Sequence, residues 1–220
     1  MISIVKIQRE IIKTYISGIY GGLCVVLATS LYLLFYSFNL RPLGSILFSV
    51  GLILIVNYGF SLYTGKIGYA FALEDRPKKT NLLMIFLGNA TAAIIAGALL
   101  SLLRYTGWTA LFDIVDATSA GREIGSGEPW YLAIIYGFFC GLLIFFAIHT
   151  FKKAKKIWVK YIGLIFFISL FVIFGMEHCI ANLYIFTLGN AWTWGLLLNV
   201  AIIVVGNSLG GMFGYLLTHL

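Results

Sequence analysis

Long uninterrupted runs of apolar residues dominate the chain, and short polar segments separate them. A transmembrane helix needs about 20 consecutive apolar residues, and six stretches reach that length. A membrane β-barrel would instead show alternating segments of about ten residues. The pattern therefore predicts an all-α integral membrane protein with six transmembrane helices. The predicted spans are 16–38, 43–71, 82–103, 130–151, 157–186 and 194–217.

The second and fifth stretches are too long for one helix and carry polar residues in their second halves. The second stretch contains Ser61–Lys66, and the fifth contains Gly175–Asn182. Irregular backbone at membrane depth is tolerated only where it is buried in protein or lines a wet cavity. We therefore expect spans 2 and 5 to be broken helices.

The two halves of the chain resemble each other weakly. The pair Gly-Asn at 88–89 recurs at 206–207, and the same offset of 118 residues places Thr64 opposite Asn182. Chance recurrence in a chain rich in small residues is the alternative, but the two matching breaks favour duplication. Because each half has three spans, the two copies must have opposite orientations in the membrane.

The prediction is thus a single transmembrane domain, 1–220, made of repeat 1 at 16–103 and an inverted repeat 2 at 130–218. Inverted repeats with paired interrupted helices are typical of channels and transporters. In such proteins the substrate path lies where the interruptions meet.

Composition agrees with a membrane protein and excludes several other classes. Hydrophobic residues make up 61% of the 220 residues and charged residues 10%, and the mean hydropathy is +0.99. A soluble protein of this size could not bury so much apolar surface. The three dispersed cysteines argue against a disulfide framework or a zinc site, and neither a metal nor a cofactor is expected.

The net charge of +7 is explained by topology rather than by nucleic acid. Cytoplasmic loops of membrane proteins are enriched in Lys and Arg, and 11 of the 15 basic residues fall on one side of the six-span arrangement. The other side has three, which are Arg41, Arg104 and Arg122. We therefore expect a multi-pass protein of the cytoplasmic membrane with both termini in the cytoplasm. The 11 residues are Lys6, Arg9, Lys13, Arg76, Lys78, Lys79, Lys152, Lys153, Lys155, Lys156 and Lys160.

The breaks carry the candidate chemistry. Inverted symmetry brings Thr64 and Lys66 towards Glu177 and His178, and ionisable groups at membrane depth are costly and usually functional. Imidazole changes its protonation near neutral pH, and protonating a weak-acid anion removes most of the cost of its passage through an apolar pore. The residues predict a pore in which His178 is the central proton donor, with Thr64 and Asn182 as polar partners.

Each candidate residue of the pore also has a structural explanation as an alternative to its functional role. His178 itself has the alternative of a structural hydrogen bond between helices. Glu177 is expected to be structural at the break, and Lys66 either attracts anions or snorkels to the cytoplasmic side. Apolar rings that block water are expected on both sides of His178, although packing alone also explains them. The candidates are Phe48, Leu52, Tyr63 and Phe171.

Two segments resemble a known family. Residues 175–183, GMEHCIANL, are similar to the GFEHSIANM signature of the formate/nitrite transporters, and residues 62–65, LYTG, resemble the LFTG break of its second span. The resemblance implies a homopentamer of aquaporin-like protomers, each with its own pore for formate, nitrite or hydrosulfide. It also implies that His178 donates the proton with Thr64 as its partner, and that the four aromatic and aliphatic candidates are the constrictions.

The chain departs from the family pattern at three places. Ser61 and Gly141 replace the usual Glu and Asn, and the basic residue that normally precedes span 4 is missing, so Arg122 or Lys66 is its candidate replacement. These departures leave a non-conducting sensory homologue as one alternative. An aquaporin-like pore for neutral solutes is another, although the paired Asn-Pro-Ala breaks are absent. An enzyme is not expected, because Glu177, His178 and Cys179 are consecutive and point in different directions.

Overall fold

The computed structural model describes residues 2–70, 72 and 77–220, without the side chains of 2–6, 79 and 80. Arg76 lies outside the described residues, and the side chains of Lys6 and Lys79 are also outside them. The described residues form nine α-helices and one 3-10 helix, Ser101–Thr106, and contain no strand. The helices are α1 (Ile2–Ser37), α2 (Arg41–Tyr58), α3 (Tyr63–Ile67), α4 (Lys79–Leu100), α5 (Thr109–Gly121), α6 (Trp130–Lys153), α7 (Ile157–Ile173), α8 (Cys179–Leu188) and α9 (Trp194–Leu217).

Five helical segments are long and apolar enough to cross a bilayer, and the short apolar helices α7 and α8 together form the remaining span. The predicted all-α architecture with six spans is therefore confirmed. The five long segments are Ile7–Ser37, Arg41–Tyr58, Asn81–Thr106, Trp130–Lys153 and Trp194–Leu217.

Helix α5, between spans 3 and 4, was not predicted from the sequence. It has 13 residues, so a search for runs of about 20 apolar residues passes over it. Its buried positions Phe112, Val115 and Ser119 lie on one face, and that face packs against α1 and α8. This helix also positions Arg122, the residue that directly follows it.

Both predicted breaks are present, and each begins with a glycine in the left-handed region. Gly59 has φ 70° after α2, and Gly175 has φ 71° after α7. A side chain at such φ values is strained, so glycine is favoured there. Helix α3 begins four residues after Gly59, and α8 begins four residues after Gly175.

One asparagine in each half forms hydrogen bonds with backbone N–H and C=O groups at its break. The side-chain amide of Asn89 donates to the carbonyl oxygens of Gly18 at 2.6 Å and Ser61 at 2.9 Å. Its side-chain oxygen accepts from the backbone N–H of Tyr63 at 2.9 Å. Unpaired backbone groups are very costly in the absence of water, so this one residue stabilises the whole turn.

Asn207 repeats these contacts in the second half. Its amide donates to the carbonyl oxygens of Gly137 at 2.8 Å and Glu177 at 2.9 Å. Its side-chain oxygen accepts from the backbone N–H of Cys179 at 3.0 Å. The paired Gly-Asn elements are therefore the anchors of the two breaks.

These contacts correct the alignment of the two breaks. Ser61 corresponds to Glu177, an offset of 116 residues, and the glycines at the start of the breaks have the same offset. The pairing of Thr64 with Asn182 at an offset of 118 is therefore wrong by two residues. The reason is that repeat 2 has two more residues between its break and its anchoring asparagine.

The two repeats interlock at their breaks. Helix α3 packs against α4, α6 and α9, while α8 packs against α1, α4, α5 and α9. All ten residues of α8 are buried. Close helix crossings permit this arrangement: a Cβ on Gly206 would lie 2.8 Å from the carbonyl oxygen of Ile134. The breaks thus meet inside the helical bundle.

Candidate functional site

His178 and Thr64 form a direct contact between the two breaks. The Nε2 atom of His178 lies 2.9 Å from the hydroxyl oxygen of Thr64, and the exposed fractions of the two residues are 3% and 0%. His178 is also the N-cap of α8, because its Nδ1 accepts from the backbone N–H of Ala181 at 3.3 Å. A neutral imidazole that accepts at Nδ1 carries its proton on Nε2. Nε2 therefore donates to Thr64.

A polar network surrounds the carboxylate of Glu177. Its Oε2 atom accepts from the amides of Asn182 at 2.6 Å and Asn199 at 3.1 Å. Arg122 lies 3.4 Å from the same oxygen and also donates to the side-chain oxygen of Asn182 at 2.8 Å. Glu177 and Asn182 thus hold the side chain of Arg122 against the break in span 5.

A second carboxyl group lies next to this network. Glu128 directly precedes Pro129, the N-cap of α6, and only 9% of it is exposed. Its side chain lies within hydrogen-bonding reach of Glu177. Burial, together with the neighbouring Glu177 carboxyl, raises the pKa of Glu128 to about 9, and Arg122 partly opposes this shift. Glu128 is therefore protonated at neutral pH.

Three cavities follow one another through the bundle. We call the first the arginine cavity: it has a volume of about 150 Å³ and includes Arg41, Arg122 and His178 in its lining. The second, the central chamber, is apolar except for His178 and has about 20 Å³, enough for about one water-sized group. The third, the lysine cavity, has about 200 Å³ and includes Lys66 and Lys152.

Apolar side chains separate neighbouring cavities. Phe48 and Phe171 line both the arginine cavity and the central chamber, and their ring centroids lie 5.5 Å apart at 85°. Ile55 and Leu62 line both the central chamber and the lysine cavity. His178 is the titratable side chain of the described residues that borders the central chamber.

The other predicted pore residues occupy different positions. Leu52 lines the central chamber. Tyr63 lines none of the three cavities: its ring packs against Phe86 at 5.2 Å, and its hydroxyl bonds Ser208 at 2.9 Å. Lys66 lies at the opposite end of the cavity series from Arg122, so the two candidate cations occupy different cavities.

Several residues of the site were missed from the sequence. Leu62 and Arg41 line cavities, and Asn199 and Glu128 complete the network around Glu177. The signal for Glu128 was a carboxylate directly before the proline that opens span 4. The described residues contain no cluster of three or more His, Cys, Asp or Glu side chains that could hold a metal ion.

The comparison with known families agrees with this geometry. A family model for formate/nitrite transporters matches residues 2–220. The chain belongs to the formate/nitrite transporter family. The resemblance seen in the two break motifs is thereby confirmed, and the chain is a multi-pass membrane protein of this transporter family.

Relatives within the formate/nitrite transporter family are distant in sequence. The formate channel FocA of Haemophilus influenzae is 23% identical over 202 residues, which cover 84% of this chain and 69% of FocA. The uncharacterized transporter YrhG of Bacillus subtilis is 28% identical over 177 residues, 77% of this chain and 66% of YrhG. This chain thus matches about two thirds of the length of each relative.

Solved structures of the family share the fold. A pentameric formate channel with formate bound has a TM-score of 0.76 at 21% identity, covering 97% of this chain and 99% of that chain. An ion channel of the family has a TM-score of 0.70 at 22% identity, covering 95% and 88%. These matches confirm the aquaporin-like protomer predicted from the sequence.

Proposed function

We propose that the protein carries small monovalent weak-acid anions, such as formate, nitrite or hydrosulfide, across the membrane. The observation that carries this proposal is the series of three cavities, with His178 at the central chamber and a positively charged cavity at each end. Two relatives support it, since FocA of Haemophilus influenzae and FocB of Escherichia coli are formate channels.

The apolar chamber sets the energetic problem that the site must solve. A bare anion in apolar surroundings costs several kcal/mol or more, and the chamber offers it mainly the Nε2–H of His178. Transient protonation at His178 converts the anion into a neutral acid, which crosses an apolar constriction at much lower cost. Thr64 acts as partner, because its hydroxyl can donate or accept as the ring changes state.

The capping contact of His178 defines the two states of this step. In the imidazolium form both ring nitrogens carry protons, so the hydrogen bond from the Ala181 N–H to Nδ1 is lost. Donation of the Nε2 proton to the anion leaves a neutral ring that carries its proton on Nδ1. The bond from the Ala181 N–H forms again only after Nε2 takes up a proton and Nδ1 loses the one it carries. At 3.3 Å this bond is longer than an ordinary N–H hydrogen bond, so it opposes protonation of the ring less than a shorter bond would.

The remaining pore residues divide between filter and electrostatics. Phe48 and Phe171 form the constriction on the arginine side, and Leu52 with Leu62 narrows the path towards the lysine cavity. The contacts of Tyr63 with Phe86 and Ser208 support an indirect role for it, in holding the break next to Leu62.

Positive charge at both ends attracts the anion. Arg122 acts in the arginine cavity and Lys66 in the lysine cavity, while Asn182 and Glu177 orient Arg122. Both cations therefore attract the anion, a role for which the family usually has a single basic residue before span 4.

We also propose the assembly and orientation. The match to a pentameric formate channel supports a homopentamer in which every protomer has its own pore. Lys78 is the N-cap of α4, and Lys152 and Lys153 lie in the last turn of α6. The positive-inside rule assigns these helix ends to the cytoplasm. The arginine cavity then opens towards the outside of the cell membrane.

A flux assay tests the proposal directly. Purified protein in liposomes is exposed to formate, nitrite, hydrosulfide, water and glycerol at two pH values, with protein-free liposomes as the control. Flux of at least one of the anions, faster at the lower pH, is the expected result. Permeability to water or glycerol without anion flux would instead assign a pore for neutral solutes, and no flux at all would assign a non-conducting homologue.

A further inference from the structure

Arg41 is the second arginine of the arginine cavity. Its guanidinium carbon lies 5.2 Å from the ring centroid of Tyr36, and its Nη2 donates a long hydrogen bond of 3.4 Å to the carbonyl oxygen of Ile173. Tyr36 lies near the end of α1, and Ile173 is the last residue of α7. The side chain is therefore held between two helix ends, next to the break in span 5.

Most of the hydrogen-bonding capacity of Arg41 is unused. A guanidinium has five N–H donors arranged as a planar fork. The Nε atom is buried and has no hydrogen-bond partner among the described residues. An unpaired buried donor costs free energy unless water or a ligand completes it. The position of this donor in a cavity lining indicates a ligand.

The charge of Arg41 is also unpaired within the described part of the chain. Arg122, in the same cavity, is held by Glu177 and Asn182. Arg104 lies outside the cavity lining and makes two hydrogen bonds to Asp116, at 2.8 and 2.7 Å. Arg41 forms no such ion pair with a described acidic residue. Its positive charge therefore remains available to an anion.

The cavity around Arg41 suits a small hydrated oxyanion. Its volume is about 150 Å³, and among the described residues its lining includes no carboxylate. Four residues with hydroxyl groups also line this cavity, and the hydroxyl of one of them, Thr29, already donates to the carbonyl oxygen of Val25 at 2.8 Å. The four residues are Thr29, Tyr32, Tyr36 and Thr118.

We propose that Arg41 captures planar anions with two oxygens, the carboxylate and nitrite class, and so selects them before they reach His178. A guanidinium fork binds two such oxygens through parallel hydrogen bonds. A one-centre anion such as hydrosulfide interacts with the charge alone. This inference rests on the proposed function and adds to it a site that discriminates among the candidate substrates.

Two variants of Arg41 separate its charge from its fork. Arg41→Gln removes the charge, whereas Arg41→Lys keeps the charge as a compact ammonium without a fork. Arg104→Gln is the matched control, because it removes one positive charge outside the cavity lining. Initial flux into liposomes is measured over a range of external formate and hydrosulfide concentrations, which separates half-saturation from maximal flux. Gel filtration verifies that each variant assembles as the wild type does.

The expected result is a different pattern for the two anions. Arg41→Gln raises the half-saturating concentration of both anions, for formate by about tenfold, the lower end of electrostatic focusing. Arg41→Lys raises it for formate but leaves hydrosulfide near the wild-type value. Maximal flux changes little, and Arg104→Gln matches the wild type. A purely structural role would instead lower maximal flux for both anions.

Two results would overturn the inference. One is wild-type half-saturation for formate in Arg41→Gln, and the other is wild-type behaviour of Arg41→Lys towards formate. If the wild type transports neither anion, the proposed function fails. Saturation-transfer NMR of formate with the detergent-solubilised protein then tests whether Arg41 binds formate. Binding that is weaker in both Arg41 variants supports it, and unchanged binding overturns it.

Discussion

The Nε2 atom of His178 lies 2.9 Å from the hydroxyl oxygen of Thr64, although the two residues are 114 positions apart in the chain. Each residue belongs to the break of a different repeat, so this hydrogen bond joins the two halves at the centre of the pore. Nδ1 of the same ring caps α8. Both ring nitrogens therefore have assigned partners in the absence of an anion.

Removal of the Thr64 hydroxyl should impair transport. Thr64→Val nearly preserves shape but leaves the Nε2–H of His178 without a partner. We expect anion flux to fall about tenfold, the kinetic equivalent of one lost strong hydrogen bond. Thr187→Val is the control, because it removes another buried hydroxyl, one that bonds the Leu183 carbonyl. Equal losses of flux in the two variants would contradict a specific role of Thr64.

Shortening Phe171 should widen the constriction on the arginine side. Phe171→Ala removes the ring that meets Phe48 edge-on, so larger anions such as acetate should pass more readily relative to formate. The measurement is the ratio of acetate to formate flux, and a stability loss of about 3–5 kcal/mol is expected for a buried ring. Phe167→Ala, on the same helix but outside the cavity linings, should leave the ratio unchanged. A ratio that is unaffected in both variants would refute the constriction.

The glycine at the first break should be needed for its backbone conformation alone. Gly59 has φ 70°, and nothing lies within 4 Å of a Cβ built there. Gly59→Ala should therefore lower the free energy of unfolding by about 1–2 kcal/mol, the cost of the left-handed conformation. Gly121→Ala also meets no atom within 4 Å, but its backbone has no positive φ. It should be neutral or slightly stabilising in thermal unfolding. A Gly59→Ala variant with the free energy of unfolding of the wild type would contradict the left-handed backbone conformation at Gly59.

The buried carboxyl of Glu128 should make stability depend on pH. Its pKa rises from 4.5 to about 9 on folding, so the folded state binds the proton more tightly. The stability contribution is therefore complete below pH about 4.5 and is lost as the pH rises towards 9. Arg122 and Glu177 face the group and are present in both proteins compared. In Glu128→Gln the midpoint of thermal unfolding should change less between pH 5 and 9 than in the wild type. The same dependence of the midpoint on pH in both proteins would contradict the raised pKa of Glu128.

The fold was largely predictable, because the bilayer requires long apolar runs and tolerates polar interruptions only inside protein. The same reasoning located both breaks and selected His178 and Thr64, which the structure brings into contact. Helix α5 escaped prediction because 13 residues are too few for a span. The register of the two repeats was wrong because it rested on the Gly-Asn pairs and ignored the two extra residues of repeat 2.

Individual side-chain positions were less predictable than the fold. Tyr63 and Leu62 are neighbours, and Tyr63 is held away from the cavities by its contacts with Phe86 and Ser208 on other helices. Arg41 and Glu128 lie near predicted span ends, where charges are ordinary. Their contacts depend on α5, α7 and the second break, whose positions no local pattern specifies.

His178→Asn tests whether the anion is protonated at His178. Asparagine is a good N-cap, so it can still accept from the N–H of Ala181, but it cannot carry a proton near neutral pH. The measurement is formate flux into liposomes across a pH series, after subtraction of the flux into protein-free liposomes. We predict that the wild type transports faster as the pH falls and that the variant is slower and insensitive to pH. A variant with the wild-type pH profile would contradict the account.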